Sequence, residues 1–295
     1  MGEIVGAGFL AHVPTIVLPD DVRRALNNGR ESTLYSGLHQ LRREVFDVLR
    51  PDLVIVFDSH WFTTVEFVIS SAERRTGFFT SEELPRGMAS VPYDVKGDPT
   101  FAALVAEIAD ATPECWITPI DDVHLPITYA TTNFFSFLQG DEAWVSVSTC
   151  QTAEPRDFVE VGRVIARAVA QSDRRVVLIA SGALSHTFHT LRTLRRHEAA
   201  DEEHIFSSEA RRADHGVIDA WQRGDHAHVV DHFAQFAAVK PEGRFAHYQM
   251  MIAALGGRDC VAPGRLFSVY ENSIGTGQVH VWFDQPATGW TRALP

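Results

Sequence analysis

Three histidines each follow an apolar segment of the kind that forms a buried strand: His12 after residues 3–10, His60 after 54–57 and His186 after 176–180. Imidazole side chains bind transition metals, and their pKa near neutrality lets them transfer protons. No HExxH, CxxC or EF-hand pattern is present, so spacing alone does not identify a metal. Any one of these histidines can be a packed or capping residue; their shared position is what indicates a site.

Glu242 is a candidate third ligand. It stands between Pro241 and Gly243, in a predicted tight turn before a helix. Two neutral imidazoles and one carboxylate can bind one face of Fe(II) and leave three positions open for substrate and O2. A glutamate at a helix start can also serve only to stabilise the helix dipole, and the residues alone leave both interpretations open.

An α/β fold would position these residues. Continuous β-branched runs are typical of strands covered on both faces, and apolar residues at helical spacing indicate the crossing helices. We predict a central, mostly parallel or mixed sheet flanked by helices, with the active site at the carboxyl ends of the strands. Strands are predicted at 3–10, 54–57, 65–70, 115–120, 144–147 and 175–180, with a closing pair at 266–270 and 278–283, and helices at 38–49, 101–108, from 155, within 198–237 and at 245–255.

No repeat or linker interrupts the chain, so a single catalytic domain over residues 1–295 is predicted. An excursion rich in aromatic residues and prolines, residues 77–93, is predicted to form a lid or a subunit interface.

Composition excludes several classes of partner. The formal net charge of −12 argues against nucleic acid and anionic membranes, since both require a basic face. No apolar run approaches the length of a transmembrane helix and no signal sequence is recognisable, which predicts a cytoplasmic protein. The three cysteines are widely spaced and predict neither a disulfide framework nor a zinc site.

Five short segments together resemble class III extradiol ring-cleavage dioxygenases, the superfamily of the protocatechuate 4,5-dioxygenase catalytic subunits. They are residues 10–14, 57–61, 180–186, 241–243 and 275–279, and they occur in the order seen in that superfamily. The likeness is greatest to the 3,4-dihydroxyphenylacetate 2,3-dioxygenase branch, which also has a counterpart of residues 80–85. It extends from residue 3 to about residue 285.

The resemblance implies a role for each candidate residue. His12, His60 and Glu242 would bind one Fe(II) per subunit, and His186 would act as acid and base. His124 is similar to the superfamily's other active-site histidine, which contacts the substrate oxygen or dioxygen, but its surroundings depart from the Asp-His-Gly pattern of many members and also fit a surface loop.

The function implied by the resemblance is Fe(II)-dependent extradiol cleavage of a catechol with a short side chain, with 3,4-dihydroxyphenylacetate as the best single candidate. Catechol and O2 would be the partners, and a homo-oligomer is expected. Three alternatives remain open: cleavage of a 2-aminophenol, a non-catalytic binding protein on the same fold, and a zinc hydrolase with the same ligands.

Other polar residues give weaker signals. His189 could line the pocket or pack. Arg244 could hold a substrate carboxylate, although a surface salt bridge is the stronger interpretation. No role is predicted for His247. Three further histidines lie among aspartates and are predicted to cover a hydrated helix face: His226, His228 and His232.

Overall fold

The computed structural model describes residues 1–125 and 127–291. Its strands are β1 (Glu3–Leu10), β2 (Leu53–Thr63), β3 (Phe67–Ser70), β4 (Arg74–Phe79), β5 (Val91–Lys96), β6 (Ile117–Ile120), β7 (Ala143–Cys150), β8 (Arg175–Ser181), β9 (Gly264–Leu266), β10 (Glu271–Ser273), β11 (Thr276–Gln278) and β12 (Val281–Asp284). Pro126, part of the predicted loop around His124, and residues 292–295, at the end of the predicted domain, lie outside the described residues.

The α-helices are α1 (Asp20–Leu26), α2 (Thr33–Leu41), α3 (Asp47–Leu49), α4 (Pro99–Asp110), α5 (Tyr129–Leu138), α6 (Pro155–Gln171), α7 (Ser208–Gln222), α8 (His226–Asp231), α9 (Phe233–Phe236) and α10 (Ala246–Ala254). A π-helical segment, Arg42–Phe46, joins α2 to α3. Short 3-10 turns cover Pro14–Val17, Leu194–His197, Glu202–His204, Ala237–Val239, Glu242–Phe245 and Gly257–Asp259.

Eight strands form one mixed sheet in the order β6-β3-β7-β2-β8-β1-β12-β9. The four central strands, β7, β2, β8 and β1, run parallel, whereas β12 and β9 close one edge in antiparallel pairing. Because β2, β8 and β1 are neighbours, the histidines that follow or end them emerge at one edge of the sheet. The predicted α/β architecture is confirmed.

Side chains of the central strands are buried on both faces of the sheet. In β2, Ile55 and Phe57 pack into the core that includes α6 and α10, while Val54 and Val56 pack into the core that includes α2 and α5. A strand covered in this way needs apolar residues at every position. The continuous apolar run predicted as a strand therefore reflects two hydrophobic layers.

Strand β2 is longer than predicted and His60 lies within it. Its pairing with β8 ends where Asp58 meets Ser181, and its register with β7 shifts between Phe57 and Phe62. Oδ1 of Asp58 accepts hydrogen bonds from the backbone N–H groups of His60 and Trp61, both at 2.9 Å. This local irregularity turns His60 away from the regular pleat.

The closing strand pair was predicted at the wrong place. The antiparallel partners are β9 and β12, with Leu266 opposite Val281, whereas the predicted loop 272–277 is itself a hairpin formed by β10 and β11. Helix α5 was not predicted.

The 77–93 excursion is a β4–β5 hairpin whose Phe78 is 72% exposed, and the predicted subunit contact there stays a prediction. In the part of the chain that the structure describes, no helix is long and apolar enough to cross a membrane.

Close contact between α6 and α10 depends on Gly162. A Cβ atom at Gly162 would lie 2.2 Å from the carbonyl oxygen of Met250 and 2.7 Å from Cβ of Ala253. Gly162→Ala should therefore lower the free energy of unfolding by about 1–3 kcal/mol through overpacking. Gly216→Ala in α7 is the matched control: nothing lies within 4 Å of the added methyl group, so the better helix propensity of alanine should raise stability by about 0.5–1 kcal/mol. Urea unfolding measures both, and equal effects would contradict the packing argument.

Candidate metal centre

The structure brings the three predicted metal ligands together. Oε1 of Glu242 lies 2.8 Å from Nε2 of His60 and 3.3 Å from Nε2 of His12, and one ligand atom from each residue lies within 4.8 Å of the others. Ligand atoms that bind one ion at right angles, each about 2.1 Å from it, lie about 3 Å apart. The spacing and donor set therefore fit one transition-metal ion bound by two imidazoles and a carboxylate.

His12 is held in the tautomer that a metal requires. Oγ of Ser181 donates to the carbonyl oxygen of Ala130 and lies 2.9 Å from Nδ1 of His12. Since the hydroxyl proton is used at Ala130, Ser181 accepts from Nδ1–H, and the lone pair of Nε2 points to the site. Asn133 donates to the backbone carbonyl of His12 at 2.7 Å and fixes the chain at that point.

Glu242 is a buried carboxylate held by two donors besides the histidines. Ser59 Oγ donates to Oε1 at 2.9 Å, and the backbone N–H of Ala183 donates to Oε2 at 2.5 Å. Burial alone would raise the pKa of Glu242, but the neighbouring imidazoles of His12, His60 and His186 outweigh burial and lower the pKa well below its usual value. The side chain is therefore an anionic carboxylate, which suits a metal ligand.

The turn that carries Glu242 has an unusual backbone. Gly243, Arg244 and Phe245 all have positive φ angles. Gly243 approaches Ser59 closely, since its added Cβ would lie 3.2 Å from the Ser59 Cβ. The predicted tight turn therefore brings the chain against the irregular end of β2.

Tyr129 adjoins His60 at the first turn of α5. Its hydroxyl lies 2.8 Å from Nε2 of His60 and donates to Oε2 of Glu83 at 3.0 Å. Burial is the largest cause that raises the pKa of Tyr129, and the neighbouring carboxylates of Glu242 and Glu83 add to it, so the phenol is neutral. Sequence reasoning missed this residue because its helix was not recognised.

His186 reaches the same cavity as the three ligands. The cavity has a volume of about 570 Å³ and is lined by His12, His60, His186, Glu242 and Tyr129 at the metal centre. Burial lowers the pKa of His186, so the imidazole is neutral near pH 7 and able to accept a proton. The predicted convergence of the three histidines is therefore seen in the structure.

His124 is not brought to this cavity. Its side chain is exposed, its backbone N–H donates to Oδ1 of Asp122 at 2.8 Å, and it is absent from the described residues that line the cavity. The arrangement matches the surface loop that the sequence also allowed. A catalytic role for His124 stays a prediction without support from this geometry.

The remaining polar candidates have packing or surface roles. His189 stacks on His197 with ring centroids 3.6 Å apart. Arg244 donates to the backbone carbonyls of Gln151 and Ala153, and among the described residues it does not form the predicted surface salt bridge. His247 is fully buried against Gly182.

One histidine of the predicted hydrated face is in fact buried. His226 is enclosed between the Tyr248 hydroxyl and the Ala262 carbonyl, which lie at its two ring nitrogens. His228 and His232 stack on each other at the surface, as expected for a hydrated helix face.

Comparison with known proteins agrees with this geometry. The family model described as the catalytic LigB subunit of aromatic ring-opening dioxygenase matches residues 6–284. A relative from Escherichia coli, 3,4-dihydroxyphenylacetate 2,3-dioxygenase, is 25% identical over 264 residues, which are 87% of this chain and 91% of the relative. The crystal structure of the uncharacterized protein JW3007 from Escherichia coli K12 has the same fold, with a TM-score of 0.61 and 16% identity over 94% of this chain and 99% of that chain.

These matches confirm the resemblance carried by the five sequence segments. The family model spans nearly all of the described chain and includes every residue of the candidate metal centre. The chain therefore belongs to the LigB family of aromatic ring-opening dioxygenases and is a ring-cleaving enzyme.

Proposed function

We propose that this enzyme binds one Fe(II) per chain through His12, His60 and Glu242 and cleaves a catechol beside its two hydroxyl groups, inserting both atoms of O2. The observation that carries the proposal is the set of two imidazoles and one carboxylate, with His12 and Glu242 buried and His60 partly exposed, that opens into a cavity of about 570 Å³. That volume suits a small aromatic ligand. The donor set is one that non-haem Fe(II) oxygenases use.

His12, His60 and Glu242 would hold Fe(II), which would supply the means to bind catechol and O2 and to pass electron density from the ring to oxygen. His186 would accept a proton from one ring hydroxyl as the substrate binds, because its lowered pKa keeps the imidazole neutral. The same residue would return that proton when the ring opens. Ser181 would hold the imidazole of His12 in place and Ser59 the carboxylate of Glu242, while Asp58 holds the backbone of His60.

The best candidate substrate is 3,4-dihydroxyphenylacetate, the compound named for the E. coli relative. Arg23 lines the cavity, and its guanidinium group donates to Glu31, Asp20 and the carbonyl oxygen of Leu18. Nη1 uses one of its two N–H bonds for Leu18, and among the described residues the other has no protein acceptor. That N–H is suited to a carboxylate on a short side chain.

Anaerobic reconstitution with Fe(II) tests the proposed reaction. Loaded protein mixed with 3,4-dihydroxyphenylacetate should consume one O2 per substrate and form a yellow ring-opened product, which an oxygen electrode and absorbance spectra measure together. His60→Ala should abolish bound iron and activity, because it removes one of the three proposed protein ligands.

The same assay separates the alternatives. Faster turnover of a matched 2-aminophenol would favour aminophenol cleavage. Activity restored by Zn(II) without O2 uptake would favour a hydrolase. Absence of bound metal and of O2 uptake over a panel of catechols would contradict the proposal and favour a binding protein.

Replacement of His186 should separate proton transfer from metal binding. His186→Gln should lower kcat by about 10²–10⁴-fold, the usual contribution of a general base, while iron content stays at the wild-type level. In the wild-type enzyme kcat/KM should fall as the pH drops through the pKa of His186, because the protonated imidazole cannot accept a proton. Since burial lowers that pKa from 6.5, the midpoint should lie below pH 6.5. A midpoint above pH 7, or loss of iron in the variant, would contradict this role.

Substrates with and without a carboxylate test Arg23. Arg23→Gln should raise KM for 3,4-dihydroxyphenylacetate by about tenfold or more, the usual effect of losing a hydrogen bond to a charged group. KM for 4-methylcatechol should change by less than about threefold by the same reasoning. Arg24→Gln is the control, because Arg24 also lies 3.3 Å from Glu31 but is absent from the described cavity lining. Equal changes for both substrates would mean that Arg23 only supports the fold.

A further inference from the structure

A chain of two hydrogen-bonding groups connects the metal centre with solvent. The hydroxyl of Tyr129 lies 2.8 Å from Nε2 of His60, a ligand atom, and donates to Glu83 at 3.0 Å. Tyr129 is 8% exposed, whereas the Glu83 side chain is 56% exposed. We propose that Tyr129 and Glu83 carry a proton from the bound catechol to solvent, an inference that rests on the function proposed above.

The direction of the hydrogen bonds suits this transfer. A tyrosine hydroxyl has one proton, and Tyr129 gives it to Glu83, so the lone pairs of its oxygen face His60 and the metal site. When Nε2 of His60 binds a metal ion, this nitrogen has no proton left to donate to Tyr129. The phenol oxygen can then accept from a substrate hydroxyl held beside His60.

The transfer is balanced and restores both residues. The O–H bond of one substrate hydroxyl breaks and a new O–H bond forms on Tyr129, while the original Tyr129 proton moves to a carboxylate oxygen of Glu83. Glu83 then releases a proton to bulk water, which its exposure permits. A catechol has two hydroxyl protons, so His186 would keep one for ring opening and this path would remove the other.

Hydrogen bonds to two neighbouring strands hold the backbone around Tyr129 in place. Thr128 and Thr131 donate to Oδ2 of Asp58, whose other oxygen holds the backbone of His60. Ser181, which positions His12, donates to the carbonyl oxygen of Ala130. The first turn of α5 is therefore attached to β2, which carries His60, and to Ser181 of β8, which contacts His12, so the phenol has little freedom to leave the site.

Glu83 belongs to a segment with its own internal bonds, residues 80–90 between β4 and β5. Within this segment the N–H of Ser81 donates to the carbonyl of Met88, and Oγ of Ser81 accepts from the N–H of Leu84. A purely structural role is the competing interpretation, in which the hydrogen bond only holds the segment over the cavity. Glu83→Gln separates the two, because an amide still accepts the hydrogen bond but does not take up the proton.

Rapid anaerobic mixing of Fe(II)-loaded protein with 4-nitrocatechol tests the path without turnover, because the absorbance of this probe reports its deprotonation. Tyr129→Phe and Glu83→Gln should each slow deprotonation by about tenfold or more, a conservative share of what proton-transfer groups contribute. Glu82→Gln is the matched control: Glu82 is the exposed neighbour of Glu83 and is absent from the described cavity lining. It should react within about twofold of the wild-type rate if the effect is local and not a general loss of charge.

The outcomes distinguish this inference from the function beneath it. Iron content and thermal melting should match the wild type in all three variants, which shows that folding and the metal site are intact. A wild-type rate in Glu83→Gln would overturn the proton path whatever Tyr129→Phe does, because an acceptor alone would then suffice. Equal slowing in Glu82→Gln and Glu83→Gln would overturn it as well. If wild-type loaded protein binds no nitrocatechol, the proposed function fails together with the path.

Discussion

The candidate metal centre depends on the buried carboxylate of Asp58. One oxygen accepts from the backbone N–H groups of His60 and Trp61, and the other accepts from the hydroxyls of Thr128 and Thr131. The first pair shapes the irregular end of β2 that aims His60 at the site, and the second attaches the start of α5. A buried carboxylate is costly without partners, so four donors make this arrangement specific as well as stable.

The sheet explains how residues far apart in sequence meet. β1, β8 and β2 are neighbours and parallel, so the segments that leave their carboxyl ends share one edge. Glu242 has no strand of its own there. The backbone N–H of Glu242 donates to the carbonyl oxygen of Leu184, and an isolated antiparallel β-bridge pairs Ser185 with Pro241. The segment that carries His186 therefore also positions the carboxylate of Glu242.

Sequence patterns predicted the parts of the structure that local burial determines. The apolar runs of β1, β2 and β8 are legible because both faces of these strands are covered. Helix α5 has nine of its ten residues buried, so it lacks the polar face that makes a helix recognisable, and Tyr129 was missed with it. The position of His60 within a bulged strand depends on Asp58 and on threonines about 70 residues away, which no local pattern reveals. His124 is the opposite case. The sequence around this histidine does not determine whether its side chain faces the cavity or the solvent, and in the structure the side chain is exposed.

The ligand residues are ordered by one another before any metal binds. Burial alone would lower the pKa of His60, but the hydrogen bond and charge of Glu242 outweigh it and raise the pKa. A raised pKa keeps a proton on His60 to a higher pH, and a metal ion that takes Nε2 must displace that proton. Metal binding would therefore replace a proton on His60 beside Glu242, and Glu242 would become a ligand while it stays next to His60. In the proposed proton path, the same exchange would remove the proton that His60 can offer to Tyr129, so occupation of the metal site and readiness of Tyr129 to accept a substrate hydroxyl would be coupled.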